Sequence, residues 1–355
     1  MRRCRHLALL SLLALAACGE RATQTPTSPD GATPAFDKGV PCPTTSFPIA
    51  SANQQIQNLY PNGARENSML ARAFDISKRW SQCKVADPQT KVGTFVQTLL
   101  QDFTAGRLNV FTTPPTTADR VRELIRTMYE GVGLTDPNIP VDQLKPGGQV
   151  ASGLFIPGTP LLVRTSNAAT RIPADAFNEN TLITMYELRD DANPLLTDLN
   201  QFPPFYDINA SNASGDHDLN GFAPLGFCVD ELITDEIDEA IGHNRRVPDG
   251  EGGFFFLFEV LDPITEAEFA SLGLPCTTLA NPASEGESVG SLLNGKGTLG
   301  DLARGAWEAA QSSAMSMFLP QAAEAASSVG NKGVGGRASS YSPFGIVDQS
   351  SGGYF

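Results

Sequence analysis

Basic charge, histidine and long apolar runs are what this 355-residue chain has least of. Twenty-five Lys and Arg stand against 39 Asp and Glu, a formal net charge of −14. Such a polyanion is repelled by phosphate backbones, and no Lys/Arg cluster with interleaved aromatics breaks the pattern. Nucleic acid is therefore not expected as a partner. Of three histidines, only His217 and His243 lie beyond the N-terminal segment, and neither has zinc-ligand spacing to the other or to a cysteine. They read as solvated or capping residues. The N-terminal apolar run, Leu7 to Ala17, is far short of the roughly 20 residues a membrane-spanning helix needs.

What that N-terminus does contain is specific. Arg2, Arg3 and Arg5 precede the apolar run, and small residues close it at Ala16-Ala17-Cys18. This is the organisation of a cleaved signal peptide over residues 1–17. Leu15-Ala16-Ala17-Cys18 resembles the bacterial lipobox in sequence and in position. The resemblance implies cleavage before Cys18, diacylglycerol on its sulfur and acylation of the new amine, hence a membrane anchor of several acyl chains. Gly19, in place of an Asp, resembles outer-membrane sorting. Loss of the three arginines would leave a mature chain of −17. Residues 18–48 are rich in Thr, Pro, Ser, Gly and Ala and read as a flexible tether.

Without Cys4 and Cys18, four cysteines remain in what the signal implies is an oxidising compartment. Four permit three pairings. Cys42 and Cys83 flank the start of a helical stretch, whereas Cys228 and Cys276 lie in a strand-rich one, so Cys42–Cys83 and Cys228–Cys276 are the expected bridges.

Residues 49–135 carry helical periodicity. Met69, Ala73, Ile76 and Trp80 share one spacing, and Val92, Phe95, Val96, Leu99, Leu100 and Phe103 form a clear i, i+3, i+4 stripe. Asp87 is the expected cap of that second helix, with Pro88 in its first turn and Gly106 past its end. Val121, Leu124, Ile125 and Met128 mark a further helix, capped at Thr116 or Thr117 and stopped at Gly131. The stretch from Ile56-Gln57-Asn58-Leu59-Tyr60-Pro61-Asn62-Gly63 to Asp102-Phe103-Thr104-Ala105-Gly106-Arg107-Leu108 is similar to FIMAH-type modules of secreted bacterial proteins, a likeness that brings no catalytic residues.

After Pro146-Gly147-Gly148 the period becomes that of strands. Val150 to Ile156, Pro160 to Thr165, Thr181 to Leu188, Phe205 to Ile208, Phe222 to Val229 and Phe254 to Leu261 are short runs separated by turn residues. This predicts an antiparallel sandwich over 148–276. Ile172-Pro173-Ala174-Asp175-Ala176-Phe177, Thr181-Leu182-Ile183-Thr184 and Phe205-Tyr206-Asp207-Ile208 resemble ZU5-like β-sandwich domains of cell-surface proteins. The insert Arg189 to Pro204 departs from that pattern. The resemblance implies a non-catalytic structural or interaction domain. Residues 277–355 are Gly/Ser/Ala-rich, with one helix expected from Leu299 to Leu319 and a mobile tail from Gly330. The fold class expected is thus α+β: a small helical module, a ZU5-like or Ig-like sandwich, then a helix and tail.

Motifs that resemble chemistry fail on context. Gly286-Glu287-Ser288-Val289-Gly290 spells a nucleophile elbow, but no strand precedes it and no histidine follows it. Gly295-Lys296-Gly297-Thr298-Leu299-Gly300 spells a dinucleotide fingerprint without room for its βαβ unit. Asp216, Asp218 and Asn220, followed by Gly221, match the opening of a calcium loop, with Asp207 or Asn209 as possible recruits; the twelfth position is Phe227 where a bidentate Glu belongs. Asp230 to Glu239 is an acidic run that reads as solvated surface. Neither cofactor, metal nor enzymatic activity is expected. The reading is a surface-exposed lipoprotein of the bacterial cell envelope, lipid-anchored at the outer membrane, that binds a protein or glycan partner or serves as scaffold. The alternative is an envelope enzyme or substrate-binding lipoprotein with a pocket between helical module and sandwich.

Overall fold

The computed structural model describes residues 42–215, 218–229, 239–248, 254–276, 278–280, 282–283 and 332–349. Four helices come first: α1 (Ile49–Leu59), α2 (Ala64–Trp80), α3 (Ala86–Thr104) and α4 (Thr117–Glu130). Their buried faces are the expected stripes, with Val92, Phe95, Val96, Leu99 and Leu100 of α3 fully buried. Thr116 caps α4 in a reciprocal box: its hydroxyl accepts from the Asp119 amide at 3.2 Å, and the Asp119 carboxylate accepts from the Thr116 amide at 2.8 Å. Asp87 does not cap α3. The N-cap is Val85, with no side-chain bond, and Asp87 lies inside the first turn, where it pairs with Arg79 and complements the helix dipole. Gly106 takes the left-handed conformation just past α3 that a glycine accepts without steric cost.

Eleven strands follow: β1 (Val150–Phe155), β2 (Leu161–Arg164), β3 (Ala168–Ile172), β4 (Thr181–Glu187), β5 (Gln201–Ser211), β6 (Asp218–Val229), β7 (Glu239–Pro248), β8 (Phe254–Val260), β9 (Thr278–Leu279), β10 (Lys332–Ser340) and β11 (Pro343–Asp348). A short helix, α5 (Glu266–Ser271), lies between β8 and β9. The strands form a six-stranded sheet in the order β1-β4-β5-β11-β7-β8 and a five-stranded sheet in the order β2-β3-β6-β10-β9. Every pairing is antiparallel except β9 with β10. Alternate side chains of both sheets, among them Phe155, Ile183, Ile208, Leu225, Phe227, Val334 and Ile346, meet in one core. The protein is therefore α+β, with two antiparallel-rich sheets face to face.

The helices are not a separate module. Their stripes share a single core with Val150, Leu182, Tyr186, Leu188 and Phe205, the other face of the six-stranded sheet. Gly93 permits this approach: a Cβ there would sit 2.8 Å from Leu182 Cδ1. The described residues from Cys42 onward accordingly form one compact unit, and Pro146-Gly147-Gly148 is a turn within it. The space between helices and sandwich, where a pocket would lie, is filled by Phe95, Leu99, Leu182, Tyr186 and Phe205.

The expected mobile tail is overturned. β10 and β11 are central strands, β10 between β6 and β9 and β11 between β5 and β7, joined through Tyr341 and Ser342 so that this short connection carries the chain from one sheet to the other. Their glycine content has a packing cause. Gly333 and Gly335 lie under Phe269 and Ile264, and a Cβ at either would fall well inside van der Waals contact. That close approach seats α5 and its flanks on the outer face of the five-stranded sheet, with Ala169, Cys228, Leu272 and Cys276 completing a small core. β3 and β7 were also unread, and β5 begins at Gln201, inside the stretch taken as insert. The expected helix at Leu299–Leu319 lies outside the described residues.

Candidate functional site

The described surface is least finished at β7 and β8. β8 is the last strand of the six-stranded sheet among the described residues, and its sequence is Phe-Phe-Phe-Leu-Phe-Glu-Val. In a strand, successive side chains point to opposite faces. Phe255 and Leu257 therefore face one way, and Phe256 and Val260 the other. All four are exposed, at 51%, 51%, 44% and 37% respectively. Cross-strand pairing runs from Gly242 with Val260 to Pro248 with Phe254, so the two strands form a ribbon. β11 accompanies only its first part: its pairing with β7 ends at His243 with Phe344. Beyond that point the ribbon continues as two strands.

His243 roots the ribbon. Its two cross-strand neighbours are Phe344 on β11 and Glu259 on β8, all on one face. The imidazole stacks on Phe344, ring centroids 4.5 Å apart, and Nδ1 lies 3.0 Å from Glu259 Oε1. The ring is fully buried, and Nε2 has no hydrogen-bond partner among the described residues. Burial holds the imidazole pKa below its usual value against the opposing pull of Glu259, whose own carboxyl is held low by the His243 hydrogen bond. Arg245 and Asp218 also act on the ring. The pair links the edge strand to the sheet interior and is sensitive to protonation. The sequence reading of His243 as solvated or capping is corrected here: β7 went unread, so the alternation that places His243 beside Ile241 on the inner face was not seen.

Both disulfides form. Cys42–Cys83 has Cα atoms 4.7 Å apart, and Cys228–Cys276 has them 5.6 Å apart. The first fastens the residues before α1 to the end of α2, where Trp80 Nε1 donates to the Thr45 carbonyl at 2.9 Å. The second holds the segment after α5 to β6.

The calcium loop does not assemble among the described residues. Asp218, Asn220 and Gly221 are part of β6, an extended strand rather than a turn. Asn220 Nδ2 donates to the Asp175 carbonyl at 3.0 Å. Phe227 is buried in the sandwich core, stacked on Tyr206. Asp207 cannot be recruited to β6, because it lies on the helix-facing side of the other sheet. There Tyr186 donates to its Oδ2 at 2.5 Å, and Asn209 Nδ2 donates to the Tyr186 hydroxyl. Burial pushes the Asp207 carboxyl up to about 6, against the opposing pull of hydrogen bonds from Tyr186, Asn209 and the Ile208 backbone. No group of three or more His, Cys, Asp or Glu suited to a metal ion occurs among the described residues. Cys18, Asp216, His217, the acidic residues from Asp230 to Asp238, the elbow-like motif at 286–290 and the glycine motif at 295–300 lie outside them.

A shallow cleft of about 470 Å³ opens beside β5, lined by Asn193, Leu199, Asn200, Gln201 and Phe202, none of them an acid, base or nucleophile. Gln201 is engaged with the Leu195 backbone through both amide atoms. No described helix is long and apolar enough to cross a membrane. Comparison with known proteins returns no matching family model, no matching curated protein and no matching solved structure.

Proposed function

We propose that this chain is a non-enzymatic lipoprotein of the bacterial cell envelope, anchored through lipid on Cys18, that works as a binding or scaffold protein through its β7–β8 ribbon. The observation that carries the reading is the exposure of Phe255, Phe256, Leu257 and Val260 on both faces of one edge strand. Isolated apolar residues on a surface are ordinary; four on seven consecutive positions form a patch of the kind that marks interaction sites. Aromatic and apolar side chains of this kind are the ones enriched at the centres of protein–protein interfaces. The anchor rests on Leu15-Ala16-Ala17-Cys18 and on the polar, proline-containing stretch that follows.

Two experiments test the two halves of this reading. A photo-crosslinking residue at position 257, in intact envelope, should give a discrete covalent protein adduct. The same residue at position 110, where Val110 is 82% exposed, should not. No adduct at 257 overturns the ribbon as the binding surface. Cys18→Ser should move the protein from the membrane to the soluble fraction, and unchanged partitioning overturns the anchor.

A further inference from the structure

The two disulfides sit in opposite surroundings. Cys228 and Cys276 are 4% and 5% exposed, packed with Ala169, Phe269 and Leu272 in the small core beside α5. The Cys276 amide also donates to Cys228 Sγ at 3.3 Å. Cys42 and Cys83, by contrast, are both exposed. A disulfide is opened by a thiolate that must reach one of its sulfurs, so access decides which bridge reacts.

The backbone at Cys83 adds a second distinction. Three helices end alike. After α2, the Lys84 amide donates to the Arg79 carbonyl and the Cys83 amide to that of Trp80. After α3, Arg107 and Gly106 donate in the same way to Asp102 and Phe103, and after α4, Leu134 and Gly133 donate to Tyr129 and Glu130. This paired closure puts one residue in the left-handed region, where glycine is the usual occupant. Gly106 at φ +65° and Gly133 at φ +70° meet that demand, whereas α2 has Cys83 at φ +61°. A side chain there carries a steric cost that glycine avoids. The end of α2 thus gives up the favoured residue to place a sulfur.

These observations are independent of the ribbon. We infer that Cys42–Cys83 is a thiol–disulfide exchange site, opened by a dithiol reductant in the folded protein and coupled to the closure of α2, while Cys228–Cys276 stays shut. A thiolate of the dithiol attacks one sulfur of the bridge and breaks the S–S bond; the second thiolate then breaks the mixed disulfide. Each cysteine leaves as a thiolate and takes up one of the two protons the dithiol gives up. Two electrons pass to the chain, and the reductant ends as a disulfide. The fold survives, because other contacts hold the same junction. Trp80 Nε1 donates to the Thr45 carbonyl at 2.9 Å, and Phe47, Ile56 and Leu59 are buried in the helix–sheet core. What is released is Cys83, free to leave the left-handed conformation, so the closure of α2 loosens.

The test is a titration of the intact chain carrying Cys18→Ser with dithiothreitol, read by site-resolved alkylation and circular dichroism. Cys42 and Cys83 should be alkylated at a reductant concentration at least about tenfold below that needed for Cys228 and Cys276, with the helical signal retained. The amides of Cys83 and Lys84 should then exchange faster than in the oxidised chain. Cys83→Gly and Cys83→Ala both remove the bridge, and the glycine variant should melt roughly 2–4 °C above the alanine one. Reduction of both bridges together, or of Cys42–Cys83 only where the circular dichroism collapses, overturns the exchange site. Unchanged exchange at Cys83 and Lys84, or an alanine variant as stable as the glycine one, overturns the coupling to α2.

Discussion

The six-stranded sheet ends in two different ways. At β1 the last strand lies under α3, and residues on its two faces belong to two separate cores, Val150 to the helix–sheet core and Ala151 and Phe155 to the core between the sheets. At β8, the last strand of this sheet among the described residues, Phe255, Leu257, Phe256 and Val260 are exposed on the two faces. The same element type thus serves stability at one end of the sheet and exposes apolar side chains at the other. Surface of that kind is costly to keep in water, roughly 25 cal/mol per Å², and a chain that retains it uses it or loses solubility.

The comparison breaks first, and by the largest amount, at the covered edge. Phe95→Ala removes a fully buried ring from α3. It should cost about 3–5 kcal/mol in urea unfolding, as large-to-small core changes do. A loss below about 1 kcal/mol would mean that α3 does not hold that edge.

Next come two buried titrating groups with opposite signs. Asp207, behind the β1 half of the sheet, has its carboxyl raised to about 6 by burial. The folded state holds its proton more tightly than the unfolded state. Its contribution is complete below about pH 4 and is lost as pH rises through 6, about 3 kcal/mol in all. Asp207→Asn should remove that decline. His243, at the root of the open ribbon, has a lowered pKa, so the folded state resists protonation. Its contribution is present above about pH 6.5 and is lost as pH falls below that value. Glu259, held low by His243, adds to the loss further into acid. His243→Gln should flatten the acid side of the stability profile. Thermal melts of the two variants from pH 4 to 8 should therefore change slope in opposite directions, and a shared direction would contradict the assignment.

The smallest effect on folding is expected at the ribbon itself. Phe255→Ser, at a half-exposed position, should cost less than about 1 kcal/mol in dilute solution, as surface changes do. A cost near that of Phe95→Ala would show the ring to be buried.

Much of the architecture was legible in the residues, and the failures have physical causes. The i, i+3, i+4 stripes gave α2, α3 and α4 because each buries one face, and six short apolar or alternating runs gave strands because turn residues bound each of them. β3, with small and polar Ala168-Ala169-Thr170-Arg171-Ile172, lacks that signal. β10 hides its strand character behind glycines that Phe269 and Ile264 require, a reason visible only once α5 is seated. Both disulfides followed from which cysteines share a region. The candidate site was half legible: Phe254 to Leu261 reads as a strand, but whether an apolar strand is central or at an edge depends on sheet order, which local pattern does not carry. His243 was missed with β7, whose Asn, Arg and His residues interrupt the apolar alternation.

Amide hydrogen exchange along these two strands tests the central contrast most directly. Amides of Val150 to Phe155, under α3, should be strongly protected. Amides of Phe254 to Val260 should exchange faster. Equal protection of the two strands would mean that β8 is as well covered as β1, and would contradict the account.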